Sequence, residues 1–372
     1  MANPLIPALD AFPIPGPVWL FHFLLVFTFV LHMLFMNLTL GGTILAALGQ
    51  LFSKGKADDY RTVMAMRLMG VNNFGISMTI TTGIAPLLFV QVLYQQYFYT
   101  ATIMIAWIWL FLLVFLMVGY YAAYLYKFKG TPAKGAGGTA WLWISAIMFF
   151  LIAMIHVAVN LIHSQPDQWA VLADSPGAIL GDATYWPRLL HFVLTGLAFS
   201  GVVVAWWAAR QAGKGVDVEL NTQIARYGWR WALWTTVLQI ADGFLLLMVL
   251  PRPVLLGFMR GGMGTMLPLT LGLLLALGIL VMLAKVSNPV EKFSTVNGTL
   301  IGMVATIAVM SITRHQIRAI YLEPATSQFR LETAPQWGNF ALFAALLVAG
   351  LFTVYYMVKE VLESRAAGQD AA

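Results

Sequence analysis

Nine stretches of this chain are apolar for long enough to cross a bilayer, and that one feature constrains every other reading. A helix advances about 1.5 Å per residue, so roughly 30 Å of hydrocarbon takes about 20 apolar residues. The stretches run approximately 17 to 52, 70 to 95, 101 to 126, 139 to 163, 187 to 211, 228 to 250, 265 to 286, 295 to 317 and 337 to 359. Runs of this length select helices, because a backbone in lipid must satisfy its own hydrogen bonds within the segment. The expected fold is therefore all-α: a polytopic membrane helix bundle of about nine transmembrane helices, with residues 1–372 forming one transmembrane domain. Composition agrees, at 60% hydrophobic and 10% charged residues. The first run exceeds one perpendicular span, so it tilts or projects. Breakers stand where loops belong, at Gly130 and Pro132, at Pro176 and Gly177, at Pro251 and Pro253, and at Pro289. The start of the chain has no basic segment and no cleavage site, which predicts that it is retained.

Cation placement predicts orientation. With the N-terminus outside, inner segments hold fifteen Lys and Arg residues and outer ones six. All nine lysines fall inside, whereas the outer cations are Arg188, Arg252, Arg260, Arg314, Arg318 and Arg330. Arginine's planar fork suits carboxylates, so these can clamp an anionic cofactor or partner; the alternative is interfacial snorkelling. The basic pI follows from this topology and implies membrane lipid, not nucleic acid, as the surrounding partner.

Six histidines occur, and all fall in the outer half: His22, His32, His156, His163, His191 and His315. An imidazole in hydrocarbon is costly unless partnered, which makes such residues functional candidates. His22 and His32 differ by about 15 Å along a helix and roughly 80° around it, so they cannot share one metal. His156 and His163 share a face about 10 Å apart in depth. This pattern suits tetrapyrroles held edge-on between helices at two levels, with haem b as the cofactor, since the absence of cysteine excludes covalent haem and iron–sulfur ligation. Hydrogen-bonded structural histidines are the alternative for any single one. Met259, Met263 and Met266 offer thioethers at the outer start of the seventh span. Asp242 is the one carboxylate clearly inside a span, a candidate proton or quinone site or an arginine partner; the alternative places it at a helix end.

Several segments resemble subunit I of the cytochrome bd quinol oxidase superfamily. His32 to Gly41 (His-Met-Leu-Phe-Met-Asn-Leu-Thr-Leu-Gly) is similar to that family's His-Phe-Leu-Phe-x-Pro-Leu-Thr-Leu-Gly segment, whose histidine ligates an active-site haem. Gly70, Val71, Asn72 followed by Thr81, Thr82, Gly83 is similar to its Gly-x-Asn and Thr-Thr-Gly pattern. Asn160 to Pro166 and the Leu189, Leu190, His191, Thr195, Gly196 segment complete the resemblance, which is best over residues 17–211. It implies low-spin haem b at His191, with Met266 or Met263 opposite, and Arg260 and Arg314 in the positions of family arginines. The family's carboxylates in the third and eighth spans are absent, and only Pro251 to Gly264 stands where its long quinol loop would be.

Together these features predict a multi-haem b electron-transfer subunit of a respiratory complex in a prokaryotic cytoplasmic membrane, with an outer N-terminus and a cytoplasmic C-terminus. Two or more haems are expected, on His32 and His191 first, then His156, His163, His22 and His315, with Met266 or Met263 opposite His191. Arg260, Arg314, Arg318 and Arg188 are expected to hold propionates, and quinone is a further candidate ligand. The expected partners are a second bd-type membrane subunit and a c-type cytochrome or other redox subunit at the outer face. The alternatives are a haem-containing terminal oxidase and a haem-free transporter or assembly anchor.

Overall fold

A computed structural model describes residues 6–8, 12–54, 56–129, 137–327, 329 and 331–370. Lys134 and Arg330, counted above among the sorted cations, lie outside the described residues, as does the side chain of Arg365. Among the described residues nine helices are long and apolar enough to cross a membrane, as the hydropathy pattern predicts, and the chain is a multi-pass membrane protein. They are α1 (Val18–Phe52), α2 (Tyr60–Leu93), α4 (Ala106–Lys129), α5 (Gly137–Ser164), α7 (Tyr185–Gly213), α8 (Val218–Val249), α10 (Met263–Lys285), α11 (Phe293–Thr326) and α12 (Trp337–Asp370). Three shorter helices join them: α3 (Gln95–Met104), α6 (Trp169–Asp174) and α9 (Arg252–Arg260).

Several helices outrun their apolar cores. α2 begins at Tyr60, ahead of the apolar run, because Asp59 caps it: the Arg61 backbone N–H donates to the Asp59 carboxylate at 2.8 Å and the Arg61 side chain follows at 3.2 Å. α11 continues past Ile317 to Thr326, which places His315 well inside the helix instead of at its end. α8 begins at Val218, ten residues ahead of its apolar run, and stays helical to Val249, so Asp242 is intrahelical and buried.

The chain divides into two compact units, one of residues 22–329 with the first nine and one of residues 10–21 with 330–372. In the second, Ile14 pairs with Thr333 in a parallel bridge and Phe21 meets the Phe340 ring edge-on. In the first, small residues let helix backbones touch. A Cβ on Gly41 of α1 would fall onto the Gly196 backbone of α7, and one on Gly201 of α7 would lie 2.6 Å from the Gly228 carbonyl oxygen of α8. In lipid, such close packing replaces the hydrophobic drive that holds soluble bundles together.

Contacts identify the two ends of this bundle. At one, Lys127 donates to the Gly70 carbonyl, Arg67 pairs with Asn221 and Asp217, and Gln50 bonds Tyr126 and Thr139. At the other, His22 meets His315, Tyr94 meets His163, and Arg188 lies over Tyr321. The first is the lysine end and the second the histidine end.

Candidate functional site

The histidine half encloses a cavity of about 370 Å³ lined by His32, His156, His163 and His315 together with Arg188, Arg314 and Arg318. Its remaining wall is mostly apolar, from α1, α2, α4 and α5. His32 projects from α1 toward Gly83 of α2, where a Cβ would lie 2.9 Å from the ring. Its Nδ1 is 3.0 Å from the Thr79 carbonyl, which can only accept, so in the neutral ring Nδ1 carries the proton and Nε2 the lone pair. His156 of α5 is fixed in the same way, with Nδ1 donating to the Ile152 carbonyl at 2.9 Å and its ring against Trp109. These two residues therefore present Nε2 as donor atoms, with the Nδ1 hydrogen bond that metal-ligating histidines usually make.

Three imidazoles each keep one ring nitrogen without a partner. His163 Nε2, His315 Nδ1 and His22 Nδ1 are buried without a hydrogen bond. His22 does not line the cavity; it packs behind His315 with ring centroids 5.0 Å apart. Tyr94, at the end of α2, lies between His22 and His163, with the Arg318 guanidinium 5.9 Å from its ring. Burial raises the Tyr94 phenol above its ordinary value, while Arg318 pulls the other way.

The guanidiniums carry the strongest demand. Arg318 is 7% exposed and its Nε is unpartnered. Arg314 lies 4.5 Å from the Phe29 ring centroid, and Arg188 donates to Thr184 at 3.2 Å. Among the described residues no ion pair involves any of the three. Burying a guanidinium without a carboxylate costs several kcal/mol on an order-of-magnitude scale, and Arg318 is the one of the three that is fully buried, while Arg188 and Arg314 are half-buried.

A second cavity, of about 240 Å³, lies on the other side of Phe29, Phe192, Arg188 and Arg314, which line both. It holds His191, whose Nδ1 is 3.1 Å from the Asp242 carboxylate, while Gln239 donates to Thr195 at 2.6 Å and reaches to 3.5 Å from His191 Nε2. Met33, Met303 and Met310 supply thioethers to its wall.

The structure thus gathers His32, His156, His163, His315, Arg188, Arg314 and Arg318 around one cavity and His191 around the other. It does not bring Met263, Met266 or Arg260 to His191: none lines either cavity, and Met263 is 77% exposed. α9 explains this, because it turns Val254 and Phe258 inward and leaves Arg260 at the surface. Asp242 pairs with His191 and not with an arginine. Among the described residues no three His, Asp or Glu side chains could hold a bare metal ion. An axial haem site takes one or two protein donors and fits what is present. Sequence reasoning missed Met310, Tyr94 and the shared wall, which nothing short of packing reveals.

No family model and no curated protein sequence matches the chain. Among solved structures it is similar to the bd oxidase from Geobacillus thermodenitrificans, at 14% identity with a TM-score of 0.65, over 94% of this chain and 100% of that one. The helix bundle therefore has a bd oxidase-like fold, in agreement with the resemblance of its histidine segments.

Proposed function

We propose that this chain is a multi-haem b electron-transfer subunit of a respiratory complex in a prokaryotic cytoplasmic membrane, with its histidine end and N-terminus outward. The observation that carries this reading is the larger cavity, where four imidazoles and three guanidiniums without an ion pair among the described residues share a mostly apolar wall. Its volume falls within the usual range for cofactor pockets, roughly 300–1,000 Å³. When bound, haem supplies one-electron chemistry tuned by its axial ligands and surroundings. The chain's own residues do the rest.

His32 and His156, whose Nδ1 atoms are held by backbone carbonyls, would hold haem iron through Nε2 in the larger cavity, with His163 and His315 as further candidates there and His22 behind His315. His191, oriented by Asp242, would hold the iron of a haem in the smaller cavity. Arg188, Arg314 and Arg318 hold propionates, which explains why no acidic side chain neutralises them. Phe29 and Phe192 exclude water from the partition between the cavities. Electrons exchange at the histidine end with a c-type cytochrome or similar redox subunit, and a second bd-type membrane subunit completes the complex; a quinone is the alternative donor.

A reduced-minus-oxidised spectrum of the purified chain, with a pyridine-haemochrome count, tests the proposal. It predicts two or more haems b per chain. A colourless protein overturns it.

A further inference from the structure

The cations at the lysine end are of two kinds. Those of α2 have carboxylates: Arg61 pairs with Asp59 at 3.2 Å and Arg67 with Asp217 at 3.6 Å. Arg226 and Arg230 of α8 and Lys285 of α10 are exposed, and among the described residues no ion pair involves any of them. Glu219, in the first turn of α8, takes the Gln223 amide at 2.8 Å, and Glu291, in the loop after α10, takes that of Asn288 at 2.5 Å. A cation can also serve the negative end of a helix, as Lys285 does in the last turn of α10. The two arginines do not, because they stand about two and three turns inside α8 from its start.

These three residues flank one helix contact. α8 leaves the lysine end, where Asn221 bonds Arg67, and α10 returns to it from Gly264, whose carbonyl takes the Gln316 amide next to His315. Between the two helices the buried indole of Trp229 donates to the Leu283 carbonyl at 2.9 Å. Arg226 lies about one turn beyond that bond toward the lysine end, roughly 60° around α8 from Trp229, and Lys285 lies about 3 Å beyond it on α10. Arg230 follows Trp229 directly. Toward the histidine end both helices continue as exposed apolar strips: Trp234 and Leu238 stand four and eight residues past Arg230, and Val281 and Leu277 four and eight before Lys285. Residues four apart share a helix face, so each strip has a cation at its lysine end.

We propose that Arg226, Arg230 and Lys285 bind the phosphate of an anionic phospholipid over the seam between α8 and α10, with its acyl chains on the two strips. Charge complementarity selects this occupant: a phosphodiester accepts hydrogen bonds from guanidinium and ammonium groups that lack carboxylates, and basic clefts between transmembrane helices hold such headgroups. A zwitterionic lipid brings its own cation and gains less. The sorting of cations across a membrane asks for Lys and Arg at one end, but not for three without carboxylates about a single contact. The site uses no residue of either cavity and does not depend on the haem reading.

Native mass spectrometry of the purified full chain, titrated with dioleoylphosphatidylglycerol or dioleoylphosphatidylcholine, tests the site, since these lipids share their chains and differ in charge. A single phosphatidylglycerol is expected to bind where phosphatidylcholine at the same concentration does not. Arg226→Gln, Arg230→Gln and Lys285→Gln are each expected to weaken it about fivefold, the usual worth of one basic residue at an anionic surface, and Arg230→Lys to weaken it less. Lys359→Gln removes the same charge from α12, where Lys359 pairs with Glu363, and is expected to change nothing. Inorganic phosphate tests for a site that takes any free anion, and at the same concentration it is expected to leave the lipid in place. Equal binding of the two lipids, an equal loss in Lys359→Gln, or displacement of the lipid by inorganic phosphate overturns the proposal. The three substituted side chains are exposed, and an unchanged thermal melt of each variant separates loss of the lipid from loss of the fold.

Discussion

The imidazole of His191 and the carboxylate of Asp242 meet across the α7–α8 pair, Nδ1 to Oδ2, at 3.1 Å. Asp242 is buried and its other oxygen has no partner among the described residues, where this contact is the carboxylate's one hydrogen bond. A carboxylate so placed fixes the ring and its tautomer and leaves Nε2 to face the smaller cavity. Asp242→Ala should weaken cofactor retention in that cavity by about 10–100-fold, the usual cost of losing a partner of this kind. Asp242→Asn, which keeps the shape, should lose less. Haem content per chain, measured through purification, checks both.

The guanidiniums give a more selective prediction. Arg314 lines both cavities, whereas Arg318 lines only the larger. Arg314→Gln should therefore shift two midpoint potentials and Arg318→Gln only one, both downward, because removing a positive charge favours the oxidised cofactor. Spectroelectrochemical titration resolves the two cases, and equal effects from both substitutions would count against the shared wall.

Gly83 leaves room for His32, since a Cβ there would lie 2.9 Å from the imidazole. Gly83→Val should displace the ring and deplete the haem of the larger cavity while sparing that of the smaller one. Gly41→Leu, by contrast, forces α1 away from α7 and should destabilise the whole bundle by about 1–3 kcal/mol or more, as overpacking does. A thermal melt in detergent separates this global loss from the local one at Gly83.

Tyr94 gives a pH prediction. Burial raises its phenol above the ordinary value of about 10, so below that pH it is neutral whether folded or unfolded and contributes no pH dependence. As pH rises through the ordinary value toward the raised one, the unfolded chain loses the proton first and stability falls. Tyr94→Phe should therefore flatten part of the alkaline decline in melting temperature above about pH 10.

Much of this was legible in the chain itself. Among the described residues the nine apolar runs correspond to nine helices long enough to span, because length and hydropathy decide spanning before any tertiary contact forms. Ends were less legible: α2 begins at Tyr60 because of its Asp59 cap, and the third apolar run takes in the last four residues of α3, a ten-residue helix too short to span, before α4 begins at Ala106. The histidines announced a site because imidazole is expensive in lipid. Which methionines could serve it was hidden, since nineteen thioethers look alike in sequence and only packing selects Met310 over Met266.

The account rests on the buried imidazoles being there for iron. The most direct test is the haem b content of the purified wild-type chain beside His32→Ala and His191→Ala. It predicts at least two haems in wild type, with each substitution removing a spectrally different one while the melting profile of the helices persists. A wild-type protein without haem, or histidine variants with undiminished haem, would contradict it.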